Sequence, residues 1–409
     1  MRVPLPDASS NKRSSPECCP ILETGKWVWA NQVMKRSDIA RLRLANQRLT
    51  GTEFASPVEV VRWFGAIQSQ DLPASLYAIG LRMRHATEAL VERALADGSI
   101  VRSWPMRRTI HCMAAEDVRW MIHMLAPRGI ARMKPYHRAM NITEDDLSRA
   151  GKILESALAC HTRLTRTELY ERLKADGVAT NTPDVPMRGL HLLVHWAQAG
   201  LICLAARRGK QPTFALFDDW IPRGRDLSGA EALAELATIY FRAHAPATLK
   251  DFSWWSGLTM GEARRALHLA GDLLRSIAID GVEYWVMRDA PASSPGPLPL
   301  LLLPPFDEYT VAYADRSVAV DPSLLRSIGH GLAPNIFVNG RIAGTWKRTV
   351  LAQGAVAVTP GLLGSLNKKE QTDLARSIKR YAEFLECPLA TPDKRTEPGI
   401  RMHKGEGQR

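Results

Sequence analysis

Two glutamines, Gln68 and Gln70, stand one residue apart in "FGAIQSQDLPA" (64–74), after an apolar stretch and before a proline. A neutral amide is a poor acid, a poor base and a poor nucleophile, so it does not perform the proton transfers of a carboxyl group or a histidine. From the residues alone, the pair fits a turn whose backbone groups are satisfied by side-chain amides. A chemical role requires a reaction that needs no general acid.

A second candidate is the carboxylate pair Asp307 and Glu308 in "PPFDEYTVAYADRS" (304–317). Paired carboxylates can serve as acid and base, which would make the protein a hydrolase centred on these two residues. The alternative, which we favour, is that these carboxylates and Asp315 form ion pairs with Arg316 and tie a β-rich region down.

A third candidate is the histidine pair His191 and His195, four residues apart, a spacing that can hold zinc on one helix face. The glutamate of an H-E-x-x-H motif is missing and no third ligand is apparent, so we predict packed helix residues and no metal. No glycine-rich nucleotide motif or G-x-S-x-G stands in a suitable context, and we expect no cofactor.

The chain carries 54 Lys and Arg against 42 Asp and Glu, a net charge of +12, which favours a polyanionic partner such as nucleic acid. Six scattered cysteines without a C-x-x-C motif are typical of a reducing compartment, so we expect a cytoplasmic, nucleoid-associated protein. The longest apolar run, at 297–306, is too short to span a membrane.

Basic residues gather at places where hairpins and helix ends would meet phosphates. A solvated charged face is the alternative. The predicted DNA-binding residues are Arg102, Arg107, Arg108, His111, Arg128, Arg132, Lys134, Arg207, Arg208, Lys210, Lys347 and Arg348.

The elements that carry these residues repeat. Capped helices followed by two extended runs occur first at "SIVRSWPM" and "RTIHCMA", then around "RRGKQ", and last around an Asp-Gly turn in "SIAIDGVEYWVM". We predict an α+β fold, mainly α, of three tandem winged helix-turn-helix domains with a β-rich C-terminal portion. Unrelated α+β units with a similar rhythm are the alternative.

Changes in composition set the predicted boundaries. Residues 1–33 are predicted to be a disordered extension, or the start is misassigned and the protein begins at Met34. The other predicted segments are winged helices at 34–140, 141–225 and 226–297, a β-rich subdomain with a closing helix at 298–389, and a disordered tail at 390–409.

An internal alignment of "RWFGAIQ" (62–68) with "SWWSGLT" (253–259) sets Gln68 opposite Thr259, which has the character of a recognition-helix cap. We therefore predict that the glutamine pair occupies the turn before the recognition helix of the first domain.

Six ordered blocks over about 35–385 carry a family resemblance: "RLRLANQRL", "AIQSQD", "VRSWPMRRTIH", "APATLKDFSWWSGL", "LLPPFDEYTVAYADRS" and "VNGRIAGTWKR". The chain resembles the AlkZ-type winged-helix DNA glycosylases, which excise alkylated bases and unhook interstrand crosslinks. Their catalytic motif is Gln, an apolar residue, then Gln or Asp. It matches Gln68-Ser69-Gln70, with Ser69 departing from the apolar middle and Arg108 standing where glycine is expected.

The resemblance implies a monofunctional DNA glycosylase, a hydrolase without lyase activity, that acts on cationic N7- or N3-alkylpurines and on crosslinked ones. Gln68 and Gln70 would position the attacking water, with Asp71 as a helper. The partner would be double-stranded DNA, and we expect a monomer. The alternative is a non-catalytic winged-helix DNA-binding protein, for example a regulator.

Overall fold

The computed structural model describes residues 34–51, 54–290, 298–324, 332–351 and 354–390. The predicted N-terminal extension, and the predicted tail beyond its first residue, lie outside them. Within the described ranges, no helix is both long and apolar enough to cross a membrane.

Capped helices open the first part of the chain. The Ser56 hydroxyl accepts a hydrogen bond from the backbone N–H of Glu59 at 3.3 Å, and Pro57 occupies the first helical position, two features that favour the start of a helix. Asp71 caps a later helix through the N–H of Ala74 at 3.0 Å. The elements are α1 (Arg36–Asn46), α2 (Pro57–Phe64), β1 (Ile67–Gln68), α3 (Leu72–Gly80), α4 (Glu88–Ala96), β2 (Ile100–Met106) and β3 (Thr109–Ala114).

The second part begins with a long helix. It runs from Ala115 to Ala139 and continues through Pro127 and Pro135. A proline inside a helix costs roughly 3 kcal/mol, and burial of Leu125 and Met133 opposes that cost. The elements are α5 (Ala115–Ala139), α6 (Glu144–Leu158), β4 (Leu164–Thr165), α7 (Arg166–Ala175), α8 (Arg188–Gln198), β5 (Ile202–Arg208), β6 (Gln211–Leu216) and α9 (Phe217–Trp220).

The third part ends in the predicted Asp-Gly hairpin. Asp280 and Gly281 have φ angles of 48° and 77°, the left-handed pair that a two-residue hairpin turn requires. The elements are α10 (Gly229–His244), α11 (Leu249–Ser256), α12 (Met260–Ala270), β7 (Leu274–Ile279) and β8 (Val282–Met287).

Each part contains the order helix, short strand, helix, helix, hairpin. The short strand is β1 in the first part and β4 in the second, and in the third it shrinks to a single bridge between Ala247 and Trp285. The predicted alignment of Gln68 with Thr259 is therefore wrong, because Gln68 ends the short strand whereas Thr259 caps the later helix α12. The glutamine pair precedes the second helix of its unit, α3, and not the third, α4.

The first two hairpins share one antiparallel sheet, in the order β1-β3-β2-β5-β6-β4, joined where Arg102 pairs with Leu204. The hairpin β7–β8 forms a sheet of its own. The described structure is thus a mixture of helices and strands, as the sequence predicted.

The C-terminal part is a four-stranded antiparallel sheet in the order β12-β11-β10-β9. An Asn-Gly turn lies at Asn339–Gly340, with φ angles of 51° and 77°. The closing helix contributes Tyr381, which packs edge-on against Tyr77 of α3 and Trp346 of the sheet. The elements are β9 (Leu301–Leu303), α13 (Glu308–Val311), β10 (Asn335–Val338), β11 (Arg341–Val350), β12 (Val356–Leu362) and α14 (Lys368–Phe384).

Candidate active site

The glutamine pair lies on and directly after β1, at the edge of the six-stranded sheet. In register, Gln68 pairs with His111 of β3. Gln68 is the last residue of β1, and Gln70 lies at a bend two residues later. Within the described part of the chain, the half-buried side-chain amide of Gln68 has no hydrogen-bond partner. The Gln70 side-chain oxygen accepts the backbone N–H of Ile110 at 3.2 Å.

Ser69, the residue between them, is fully buried. Its hydroxyl lies 2.7 Å from the Ser75 hydroxyl and accepts a hydrogen bond from Arg102 Nε at 2.9 Å. Arg102 Nη2 also donates to the Ser69 carbonyl at 2.8 Å. Ser69, the polar middle residue of the motif, is therefore hydrogen-bonded to a buried arginine and to a second serine. These bonds fix the backbone that carries both glutamines.

Glu308, at the start of α13, is the acidic group in contact with this backbone. One carboxylate oxygen accepts the backbone N–H of Gln68 at 2.8 Å, and the other accepts Trp255 Nε1 at 3.2 Å and lies 3.4 Å from His244 Nε2. Burial alone would raise the pKa of Glu308. The neighbouring His244, the charge of Arg107 and the Gln68 N–H outweigh burial, and they hold the pKa below its ordinary value. The site therefore contains a buried, ionised carboxylate.

His111, opposite Gln68, is a buried neutral base. Its Nδ1 lies 2.9 Å from the Thr109 carbonyl and its Nε2 lies 3.1 Å from Arg107 Nη2. A proton on Nδ1 satisfies the first contact and leaves Nε2 to accept from the arginine. Burial and the Arg107 charge lower the pKa of His111 to about 3. His111 is thus held as an uncharged acceptor.

Arg108, where glycine was expected, lies in the tight turn between β2 and β3. Arg107 and Arg108 both have left-handed backbones, with φ angles of 52° and 61°, a region that glycine occupies without steric cost. The Arg108 guanidinium lies 4.3 Å from the ring centre of Tyr136. The turn thus presents one arginine to His111 and the other to an aromatic ring.

The other predicted DNA-binding residues lie in different environments. Arg102 and His111 are buried and bonded within the protein, so neither is available to a phosphate. Lys134, Lys210 and Lys347 are exposed, with no ion-pair partner among the described residues. The remaining arginines have protein partners: Arg128 binds Glu262, Arg132 binds the Gly257 carbonyl, Arg207 binds Glu92, Arg208 binds Glu168 and Arg348 binds the Tyr381 hydroxyl.

The carboxylates at 307 and 308 do not form an open acid–base pair. Both are 1% exposed, and Asp307 forms a two-pronged ion pair with Arg82, with both N–O distances 2.9 Å. The predicted ion-pair role thus fits Asp307, whose partner is Arg82, two residues after the end of α3. Asp315 lies 3.7 Å from Arg36.

His191 and His195 lie on α8, as predicted, and pack around His137 of α5 with ring centres 6.2 and 5.5 Å from it. Among the residues that the structure describes, no group of three or more His, Cys, Asp or Glu side chains can hold a metal ion.

Sequence reasoning missed several residues that complete the site. The sequence gives no signal for the contact of His244 and Trp255 with Glu308, or for the pairing of Arg82 with Asp307. Trp254 and Tyr136 are 47% and 43% exposed. Large exposed aromatic residues near basic ones are a recognisable sign of a nucleic-acid surface.

Comparison with a solved structure establishes the fold. The fold matches that of the DNA glycosylase AlkZ from Streptomyces sahachiroi with a TM-score of 0.72 and 22% sequence identity, over 88% of this chain and 99% of the other. The architecture is therefore one that a DNA glycosylase uses.

Sequence comparison gives the family. The family model described as DNA glycosylase AlkZ-like matches residues 61–384. This chain belongs to the AlkZ-like DNA glycosylase family, and its class is that of glycosylase-type DNA repair enzymes. It is also 25% identical over 338 residues to the interstrand DNA cross-link repair glycosylase of Streptomyces sahachiroi. The aligned region covers 78% of this chain and 88% of that protein. The predicted family resemblance is confirmed.

Proposed function

We propose that this protein is a monofunctional DNA glycosylase that hydrolyses the N-glycosidic bond of cationic purines alkylated at N7 or N3, including purines joined in an interstrand crosslink. One observation carries the proposal. The half-buried Gln68 amide has no partner in the described part of the chain, and its backbone N–H is bound to the ionised carboxylate of Glu308.

The substrate accounts for an amide at this position. An alkylated purine already carries a positive charge, so it departs without the carboxylic acid that protonates the leaving group of an ordinary glycoside. An oxocarbenium-like sugar and an attacking water remain. Neutral amides are sufficient for those two tasks, and selectivity for cationic lesions over normal bases follows.

The two glutamines have unequal freedom in this mechanism. Gln68 carries the unpaired amide, so its carbonyl can bind the water and direct its negative end toward the developing cation. The Gln70 oxygen already accepts the Ile110 N–H, so Gln70 uses its remaining lone pair and its NH2 group. Asp71, whose carboxylate caps α3, is proposed as a helper at the same edge.

Double-stranded DNA would be held by three winged helix-turn-helix units and the C-terminal sheet, with the boundaries predicted above. We assign phosphate contacts to the exposed Arg132, Lys134, Lys210 and Lys347 and to the Arg108 turn. The reaction needs no lysine Schiff base and no cofactor. We propose a monomer that works in the cytoplasm with the nucleoid. Crosslinks enter the proposal because the 25% identical relative is named as a cross-link repair glycosylase.

The test uses duplex DNA with a single N7-methylguanine, incubated with protein or buffer and then treated with alkali. We expect alkali-labile abasic sites to form faster with the protein than in buffer. Gln68→Ala should lower the single-turnover rate by about 10²–10³, the loss that follows removal of one preorganised stabilising group. Gln371→Ala, on the exposed face of α14, is the matched control and should retain the full rate.

The glycosylase proposal would be rejected if the protein binds DNA but releases no base from either the methylated or the crosslinked duplex. That outcome would favour the regulator, whose sequence-specific footprint would survive replacement of both Gln68 and Gln70 by alanine.

A further inference from the structure

A cleft of about 400 Å³ opens beside the Arg107–Arg108 turn, and neither glutamine of the pair lines it. It lies between this turn, the middle of α5 and the segment that joins α11 to α12. The described residues that line it include four arginines and no carboxylate: Arg107, Arg108, Arg128, Arg132, Trp254 and Gly257 are among them. Its volume is within the range of about 300–1,000 Å³ that is typical of small-ligand sites.

The charge of the cleft favours an anion. Glu262 pairs with Arg128 and Glu308 lies near Arg107, which leaves Arg108 and Arg132 without a carboxylate partner among the described residues. Arg132 instead donates to the Gly257 carbonyl at 3.2 Å. Guanidinium groups bind phosphate by two parallel hydrogen bonds, so a phosphodiester group fits this chemistry.

An aromatic ring stands beside these guanidinium groups. Trp254 is 47% exposed although it is large and apolar. Its indole N–H donates to the Val311 carbonyl at 3.0 Å, the same carbonyl that lies 3.4 Å from Arg107 Nη1. The ring is thus held in place with part of its surface open, the condition under which a nucleobase stacks on an aromatic side chain.

The cleft is also connected to the glutamine site. Arg107, in its wall, contacts His111, and His111 pairs in register with Gln68. A nucleotide in the cleft would therefore lie close to the one whose base is released.

We propose that this cleft is a nucleotide subsite that takes one unstacked nucleotide of the bound DNA, with its phosphodiester against Arg108 and Arg132 and its base stacked on Trp254. The assignment rests on the proposed function because it takes DNA as the ligand. It adds that recognition involves displacement of a base outside the glutamine site.

The test measures the affinity of a fluorescent duplex over a salt series, for fully paired DNA and for DNA with a single-nucleotide bulge. Each phosphate contact contributes about 0.9 to the slope of log K against log salt. Arg132→Gln should therefore reduce that slope by about 0.9 on both duplexes. Arg376→Gln, on the exposed face of α14, is the matched control and should leave the slope unchanged.

Trp254→Ala should weaken binding of the bulged duplex by about fivefold or more, and of the paired duplex by less, with the salt slope unchanged. Trp254→Phe keeps an aromatic ring and should retain most of the affinity. An unchanged slope in Arg132→Gln, or equal losses on both duplexes in Trp254→Ala, would overturn the subsite.

These measurements involve no base release, so they separate the two proposals. Cleft variants that behave as expected in a protein that releases no base would reject the glycosylase proposal and keep the subsite. If the protein releases base but the cleft variants bind DNA as the wild type does, the subsite would be rejected and the glycosylase proposal kept.

Discussion

Replacement of Glu308 by glutamine tests the most specific feature of the site, the buried carboxylate behind Gln68. Glutamine has nearly the same shape but no charge, and its NH2 group cannot accept a hydrogen bond. The variant therefore loses an acceptor either for the Gln68 N–H or for the Trp255 indole, at 2.8 and 3.2 Å in the wild type. We expect the rate of base release to fall and the affinity for DNA to stay, because Glu308 is 1% exposed and does not reach the DNA.

The size of both effects follows from the contacts. A hydrogen bond to a charged group contributes about 1.5–3 kcal/mol, so the free energy of unfolding should fall by about that amount at neutral pH. A displacement of about 1 Å of a catalytic group can cost about 10²-fold in rate, so we expect a loss of that order in single-turnover rate. Chemical unfolding and single-turnover release of N7-methylguanine measure the two quantities.

The neighbouring Asp307 provides the matched control. Asp307→Asn breaks a buried ion pair with Arg82 and should destabilise the fold by about 3–5 kcal/mol, yet no hydrogen bond joins Asp307 to the glutamine strand. Below its melting temperature this variant should retain a rate close to the wild type. A Glu308→Gln variant that releases base at the full rate would refute the positioning role of Glu308. So would an Asp307→Asn variant whose rate of base release falls as far as that of Glu308→Gln.

The pH dependence of stability adds a second check on Glu308. Its pKa in the folded protein is lowered from the ordinary 4.5, so its stabilisation is complete above the unfolded value and is lost as the pH falls through the folded value. The stability difference between wild type and Glu308→Gln should therefore be full at pH 7 and shrink below about pH 4.5. A difference that does not change with pH would contradict the ionised state.

Three further changes test the surroundings of the site. Ser69→Ala removes the acceptor of the buried Arg102 Nε and should cost about 1–3 kcal/mol of unfolding free energy, measured by denaturant titration; a neutral effect would show that the hydroxyl is dispensable. His111, with a folded pKa of about 3, stays neutral while the unfolded chain takes up a proton, so wild-type stability should decline from about pH 6.5 downward by up to about 1.4 kcal/mol per pH unit. His111→Asn should flatten that decline, and an identical pH profile would contradict its burial as a neutral base. Lys210→Gln should reduce the salt slope of DNA binding by about 0.9, and an unchanged slope would remove Lys210 from the interface.

Local patterns in the sequence determined the elements. A cap such as Ser56 satisfies backbone N–H groups within the next three residues, so the chain itself marks where α2 begins. The Asn339–Gly340 and Asp280–Gly281 turns follow from the left-handed backbone that these residue types accept. The family motif could be recognised for the same reason, since Gln68, Ser69 and Gln70 are adjacent in the chain.

The tertiary structure decided the partners of those residues. Gln68 binds Glu308 across 240 positions, and Arg82 binds Asp307 across 225. No periodicity or spacing encodes such pairs, because they depend on how the first unit packs against the C-terminal sheet. Burial likewise separated Arg102, which serves Ser69, from Lys210, which faces solvent, although both are basic residues on hairpins. The sequence of Gln68-Ser69-Gln70 thus indicates the kind of chemistry, whereas the charge behind it and the bonds that aim it exist only once distant segments have packed together.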